Sequence, residues 1–350
     1  MMLKSNQYLF CIAMGSILSL GACSEKAQEG SNSNIIVSGL AALGPIANAE
    51  VNCYSVDDEG KADKLLGTDA ATSSDGTYSL PLVLPAGVEK TDPMLCKVSG
   101  GTYVDEATGE AITNSEEIAV MLSEISMITE DYSEGLGISA LTSIQVEMVA
   151  KLLAAGEETD SEALKAAIEN ANNFLEASIG FDPNLMPANI YAEDFDPESE
   201  AGKMAYFLAG LSQMTEDLNM DHEALIAAFA GDALDGSFDG KMGLEDIAFV
   251  NEDGQTVNFD DALGSDNPME KLSESLVAFM EGDFAPELDT GKEAPTFEFE
   301  DAPTVVDFGL SDEELTAAKE EIDDAGIGTT IEVPSTTPIE APSTIVESVT

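Results

Sequence analysis

The spacing of apolar residues changes once along this chain, and this change constrains the fold more than any other feature. From residue 34 to about 128, short β-rich runs alternate with turn residues, which is typical of strands with a period of 2. From about 139 to 281, apolar residues recur every three or four positions, which is typical of helices. Together with a length of 350 residues, the two patterns predict a multi-domain chain with segregated β and α regions.

The first region predicts an antiparallel β-sandwich over residues 35–128. Its runs are short and are separated by turn signals such as Gly44-Pro45, Asp75-Gly76 and Gly100-Gly101. The predicted strands are residues 35–40, 49–56, 64–69, 77–84 and 94–98.

The second region predicts an α-helical bundle over residues 139–285. Its first apolar stripe runs from Ile144 to Leu153. The other helices are predicted from their end signals, and their Met and Phe residues are predicted to be core. These signals are Asp160 or Ser161 with Gly180 for the second helix, Asp196-Pro197 for the third, Asp221 for the fourth and Asn267-Pro268 for the fifth.

The C-terminal segment, residues 286–350, is acidic and rich in Pro and Thr. We predict a disordered tail with one short helix from Ser311 to Ala325, in which Ser311 and Glu314 form a capping box.

The N-terminus predicts export. Lys4 is followed by 13 apolar or small residues, from Tyr8 to Leu20, whereas a helix needs about 20 residues to span a bilayer. The next residues, Leu20-Gly21-Ala22-Cys23, resemble the lipobox of bacterial lipoproteins. That resemblance implies a signal peptide over residues 1–22 and acyl chains on Cys23, enough for stable membrane anchoring.

The alternative is an ordinary secretory signal with an incidental Cys23. By similarity to Gram-negative sorting rules, Ser24 after the Cys favours the outer membrane of the bacterial envelope. Residues 23–34 carry hardly any apolar side chains and are predicted to be a flexible tether.

Cysteine usage agrees with export. Cys11 would be removed with the signal peptide and Cys23 would carry lipid, which leaves Cys53 and Cys96. Both lie in predicted strands, and an exported protein meets conditions that permit disulfides. We therefore predict a Cys53–Cys96 disulfide; two reduced, buried thiols are the alternative.

The charge balance excludes several classes of function. The chain has 68 Asp and Glu residues against 13 Lys, with no Arg, and a formal net charge of −55. A nucleic-acid partner is excluded because phosphate neutralisation needs clustered cations. Substrates that are gripped by bidentate Arg pairs are disfavoured as well.

Several turn motifs of the first region resemble the carboxypeptidase-regulatory, or transthyretin-like, β-sandwich of bacterial surface lipoproteins. The matching segments are residues 44–51, 74–78, 98–103 and 105–109. Residues 139–143 and 206–213 resemble the helical domain that follows the sandwich in these lipoproteins. The resemblance implies architecture only, because the motifs are structural, and it does not imply peptidase activity.

No catalytic residue is predicted. His222 is the only histidine and lies in a polar helix start, so we predict a solvated side chain. The chain has no Gly-x-Ser-x-Gly elbow and no phosphate-binding glycine motif. It also lacks Trp, which restricts a sugar-stacking platform to Tyr and Phe.

One spacing suggests a metal. In residues 235–246, Asp235, Ser237, Asp239 and Asp246 occupy oxygen-ligand positions 1, 3, 5 and 12 of a calcium loop, and Gly240 occupies position 6. Asp replaces the usual Glu at position 12, and Asp-Gly pairs are common in ordinary turns. Calcium is therefore the one candidate ion, with a plain acidic turn as the alternative.

These features predict a non-catalytic, membrane-anchored lipoprotein that faces the cell surface or the periplasm and serves binding, adhesion or envelope structure. The alternative is an accessory or substrate-binding subunit, for example glycan-binding, of an envelope enzyme or transporter. The protein or glycan partner is not specified by the sequence. An aromatic patch on the sandwich, or a deep pocket between the domains, would favour the alternative.

Overall fold

The computed structural model describes residues 35–285 except 70, 116, 157–158, 193–194, 244, 252 and 265–266, together with residues 308, 310 and 315. The described residues belong to one compact unit. As the change of period predicts, a region of mainly antiparallel sheet comes first and helices follow.

The β-rich region forms two main sheets. Its strands are β1 (Ile35–Ala42), β2 (Glu50–Val56), β3 (Ala62–Asp69), β4 (Thr77–Leu82), β5 (Met94–Ser99), β6 (Thr102–Val104), β7 (Ala111–Thr113), β8 (Glu117–Leu122) and β9 (Leu136–Ser139). One sheet has the strand order β3-β2-β5-β8 and is antiparallel throughout; the other has the order β4-β1-β9. A short helix, α1 (Met127–Glu130), precedes β9, and β6 pairs with β7 in a separate hairpin.

The five predicted strands are confirmed as β1 to β5, with ends that differ by one or two residues. Strand β9 departs from the prediction because it pairs with β1 in parallel. The close fit of this pair depends on Gly39, where a Cβ would lie 1.8 Å from the Leu136 carbonyl oxygen. This pair makes the β4-β1-β9 sheet mixed rather than purely antiparallel.

Strand β5 is one of the two inner strands of the four-stranded sheet, and its side chains are almost all buried. It lies between β2 and β8, and only Ser99 is exposed. The buried set includes Lys97, which is 3% exposed and whose ammonium lies 2.6 Å from the Glu117 carboxylate on β8. A buried charge needs such a partner.

The helical region is built from α2 (Ala140–Ala155), α3 (Ser161–Ile179), α4 (Glu200–Leu218), α5 (His222–Asp232), α6 (Phe259–Leu263) and α7 (Pro268–Glu281). Most predicted ends are confirmed, because the capping groups act within their own turn. Asp160 caps α3, which ends at Gly180 in the left-handed conformation. Asp221 caps α5, and Asn267 forms a capping box with Glu270 at the start of α7.

The predicted start of the third helix at Asp196-Pro197 is wrong. Helix α4 begins at Glu200, and the Ser199 hydroxyl caps the Gly202 N–H. The Ser199 hydroxyl also donates to the Asp196 carbonyl oxygen, so residues 196–199 form a separate turn. Gly202 permits that turn to lie against the helix, because a Cβ there would be 2.0 Å from the Asp196 carbonyl oxygen.

Two small hairpins interrupt the helical region, and the sequence analysis did not predict them. Both lie between α5 and α7, where the short apolar runs are too brief to show a period. Their strands are β10 (Lys241–Met242), β11 (Glu245–Asp246), β12 (Ala248–Val250) and β13 (Thr256–Asn258).

The β-rich and helical regions share one hydrophobic core. The main cluster of buried residues runs from β1 through the sheets into α2, α3, α4 and α5. Most of the Phe and Met residues predicted as core, among them Met148, Phe174, Met204 and Phe229, are buried in it, whereas Met280 is only partly buried. A smaller cluster lies between α4 and α7 and comprises Ile190, Phe195, Ala205, Tyr206, Ala209, Leu276 and Phe279.

Three apolar side chains of the predicted tail contact the main cluster of buried residues. Leu315 is buried, and the half-buried Phe308 and Leu310 pack against the main cluster. The ring centroid of Phe308 lies 5.8 Å from that of Phe174. Residue 315 is helical, within the predicted 311–325 helix; the rest of that helix lies outside the described residues. These three residues therefore contact the core, and the rest of the predicted tail lies outside the described residues.

Candidate ligand-binding site

The predicted disulfide between Cys53 and Cys96 is present. The two residues lie directly opposite each other on the neighbouring strands β2 and β5, and both side chains are fully buried. The bond therefore links two strands within one sheet.

The predicted lipidation site, Cys23, lies outside the described residues, as do the signal peptide and the tether. In the part of the chain that is described, no helix has both the length and the apolar character of a membrane span.

The predicted calcium-loop residues lie on a loop whose carboxylates already accept hydrogen bonds from the protein. Asp235 accepts from the Ser237 N–H and hydroxyl through Oδ1 and from the Gly243 N–H through Oδ2. Asp239 accepts from the Lys241 N–H. Asp246 lies on the exposed strand β11. Over the described residues, no group of three or more His, Cys, Asp or Glu side chains is placed to hold a metal ion.

The same loop is organised around Asp232, which sequence reasoning missed. Asp232 is fully buried at the end of α5, and its Oδ1 accepts from the N–H groups of Asp239, Gly240 and Lys241 at 2.7–3.1 Å. Burial raises the pKa of this carboxyl well above its ordinary value. The loop thus has the hydrogen-bond pattern of a structural turn, and calcium binding stays a prediction.

The strongest candidate for a binding site is the tight turn that joins β6 to β7, residues 105–110. Asp105 is buried and organises this turn: its Oδ1 accepts from the Ala107 N–H, the Thr108 N–H and the Thr108 hydroxyl at 2.9–3.1 Å. An Asp that accepts from the backbone two and three residues later is a typical turn former.

Helix α4 holds this turn through Ser212, which is also fully buried. The Ser212 hydroxyl donates to Asp105 Oδ2 at 2.8 Å and accepts from the Ala107 N–H at 3.2 Å. One hydroxyl therefore joins a loop of the β-rich region to the helical region, between residues more than 100 positions apart in sequence.

The prediction that His222 is solvated is wrong. His222 is 7% exposed, at the first position of α5, and its ring meets the Tyr103 ring edge-on with centroids 6.2 Å apart. Burial lowers its pKa, while the charges of Asp105 and Asp221 act in the opposite direction. Its side chain packs against β6 because the hairpin lies over the start of α5, a contact that the local sequence does not show.

Glu106 follows Asp105 in the turn and has an unusual carboxyl group. Its Oε2 atom is buried and has no hydrogen-bond partner. Burial, and secondarily the charge of Asp105, raise the pKa of this carboxyl to about 8. A buried carboxylate without a partner is costly, so the group holds its proton to unusually high pH unless a cation reaches it.

Two exposed aromatic residues lie beside this turn. Tyr191 is 59% exposed, and its hydroxyl donates to the Phe284 carbonyl oxygen at 3.2 Å. Phe284 is 44% exposed, and its ring lies against Gly109, where a Cβ would be only 2.2 Å from the ring edge. Burial raises the pKa of Tyr191, and the charges of Glu106 and Asp105 raise it further.

These residues define the acidic–aromatic corner: Asp105, Glu106, Tyr191 and Phe284. It combines an unsatisfied carboxyl with exposed rings, an arrangement suited to binding a cation. The turn motif Asp105–Gly109 was visible in the sequence, but its approach to residues 191 and 284 was not.

Comparisons with protein-family models, with curated proteins and with solved structures found no match to this chain.

Proposed function

We propose that this protein is a non-catalytic lipoprotein of the bacterial envelope. Lipidated Cys23 anchors it, and the membrane that we propose is the outer membrane. Its role is binding, adhesion or envelope structure. The proposal starts from the lipobox-like Leu20-Gly21-Ala22-Cys23 and from the short apolar segment before it.

The observation that carries the proposal is the Cys53–Cys96 disulfide. Disulfides persist in oxidising compartments and are rare in the bacterial cytosol. The bond therefore supports export, which a lipoprotein signal requires; an ordinary secretory signal would also provide it, so the lipid anchor itself rests on the lipobox.

We further propose that residues 35–128 form a β-sandwich of the carboxypeptidase-regulatory, transthyretin-like kind, and that residues 139–285 form a helical bundle. The two main sheets and the shared core support the first part, and the packing of α4 on α7 and of α2 on α3 and α5 supports the second. In this arrangement the tether of residues 23–34 would lead directly from the lipid to β1.

A second candidate function has its own support. The exposed pair Tyr191 and Phe284 lies against the β6–β7 turn, and exposed aromatic clusters are typical of ligand-binding surfaces. This pair favours a binding role in which the protein is an accessory or substrate-binding subunit of an envelope enzyme or transporter.

The anchor is tested by labelling cells with an alkyne analogue of palmitate and by fractionating their membranes. We expect label on the wild type and none on Cys23→Ser, which should also leave the membrane fraction. Cys11→Ser is the matched control, because it removes a thiol from the apolar segment, and it should stay labelled. Label on Cys23→Ser would refute the proposal.

A further inference from the structure

We propose that the acidic–aromatic corner binds a primary ammonium group carried on an apolar stem, the chemistry of a lysine side chain or of a polyamine. The Glu106 carboxylate accepts the N–H groups, and the Tyr191 and Phe284 rings contact the stem. The inference rests on the proposed binding role and names the class of ligand for that role.

The first argument is the unpaired oxygen of Glu106. Its Oε2 is buried without a partner, whereas Asp105 beside it has all of its hydrogen bonds within the protein. Across the described residues, the charged group that acts on this carboxyl is Asp105, which is also negative. The position therefore lacks a cation, and an ammonium N–H supplies both the missing donor and the missing charge.

The second argument is the exposure of the two rings. Among the described residues, Tyr191 and Phe284 are two of the few large apolar side chains that face solvent, and the Tyr191 hydroxyl donates to the Phe284 backbone carbonyl oxygen. Ammonium groups are attracted to the faces of aromatic rings, and methylene stems pack on them. Rings beside a carboxylate therefore select a cation with an apolar stem over a small inorganic ion.

The third argument is access. The backbone of the turn is at the surface, since residues 106–109 are half-buried and Glu110 is exposed. The proposal requires the Glu106 side chain, whose Oε2 is buried in this structure, to rotate towards the surface when the ligand binds. The turn itself stays fixed, because Asp105 and Ser212 hold it.

The net charge of −55 attracts any cation. The test must therefore separate binding at the acidic–aromatic corner from nonspecific attraction to the acidic surface. We would measure binding of n-butylammonium to the purified full chain by saturation-transfer NMR at physiological ionic strength. Glu106→Gln removes the proposed acceptor. Glu110→Gln is the matched control, because it makes the same substitution at an exposed side chain of the same turn.

We expect n-butylammonium to bind the wild type and Glu110→Gln alike, and Glu106→Gln about tenfold more weakly, the loss of roughly one charge-assisted hydrogen bond. Tyr191→Ser, at an exposed position, should weaken binding without disturbing the fold. Tetramethylammonium, which has no N–H, should bind more weakly than n-butylammonium. Equal binding by wild type and Glu106→Gln, or equal losses in the two Gln variants, would overturn the site.

Two further probes distinguish the sources of the ammonium. A blocked lysine tripeptide that binds more tightly than n-butylammonium identifies a protein partner, and tighter binding of spermidine identifies a polyamine; either result supports the site. The measurement does not depend on where the cell holds the protein. A failure of ligand binding would therefore count against the ammonium site, and a failure of lipid labelling would count against the membrane anchor.

Discussion

Gln145 of helix α2 forms two hydrogen bonds with the backbone of Met121 on edge strand β8. Its Nε2 donates to the Met121 carbonyl oxygen at 2.8 Å, and its Oε1 accepts from the Met121 N–H at 3.3 Å. Two residues away, the Ala119 N–H donates to the Ser143 hydroxyl of the same helix. The β8 edge of the four-stranded sheet is thus covered by side chains of α2, which protects this edge from pairing with another strand.

Replacing Gln145 by Met should therefore destabilise the protein strongly. Met has a similar size but cannot pair with the backbone, so two buried groups of Met121 lose their partner. We expect the free energy of unfolding in urea to fall by about 2–4 kcal/mol. Gln213→Met, at an exposed hydrogen bond on α4, should cost less than about 1 kcal/mol. Equal losses would show that the edge contacts contribute no more than a surface bond.

Removing the disulfide should also lower stability. The bond closes a loop between residues 43 positions apart, for which the chain-entropy relation gives about 4 kcal/mol. We expect the double variant Cys53→Ala, Cys96→Ala to lose roughly this amount in urea unfolding. The mass of the unreduced wild type should be two hydrogens below that of the reduced chain. Alkylation of both thiols in denatured, unreduced protein would contradict the prediction.

Glu106 should make stability depend on pH in a defined direction. Its pKa is raised from 4.5 to about 8 in the folded protein, so the folded state holds a proton that the unfolded state releases. The stability that Glu106 contributes is complete below pH 4.5 and is lost as the pH rises towards 8. Glu106→Gln has no such proton to lose.

We therefore expect Glu106→Gln and the wild type to have similar unfolding free energies near pH 4.5. At pH 7 the variant should be more stable by on the order of 3 kcal/mol, from about 1.4 kcal/mol for each unit of pKa. Urea unfolding across this range measures the difference, with Glu110→Gln as the exposed control. A difference that stays constant between the two pH values would refute the assignment.

Calcium should have no special effect if the loop of residues 235–246 is only a turn. The carboxylates of Asp235 and Asp239 already accept backbone N–H groups, and metal binding would have to compete with these bonds. In that case millimolar calcium and magnesium should raise the melting temperature equally at matched ionic strength, by screening repulsion between acids. An excess with calcium that Asp239→Ala abolishes would instead establish the calcium site.

Much of the secondary structure was predictable because it depends on local chemistry. The carboxylate of Asp160 accepts from the N–H groups of residues 162 and 163, and Gly180 ends the same helix, whatever packs around them. In strands β1 to β5, apolar residues either alternate with polar residues or follow one another, and both patterns are visible in the sequence of the strand itself. The predicted Cys53–Cys96 pair followed from elimination among four cysteines, and the structure placed the two residues in register.

The sequence by itself determined the order of β and α regions, most helix ends and the disulfide partners, because each depends on residues near in sequence or on a very small set of choices. Only the tertiary structure decided that β9 pairs in parallel with β1, that His222 is buried against Tyr103, and that the turn of residues 105–110 meets Phe284 at Gly109. These relations join segments far apart in sequence. They arise because both regions bury their apolar faces in one core, which fixes which surface loops meet above it.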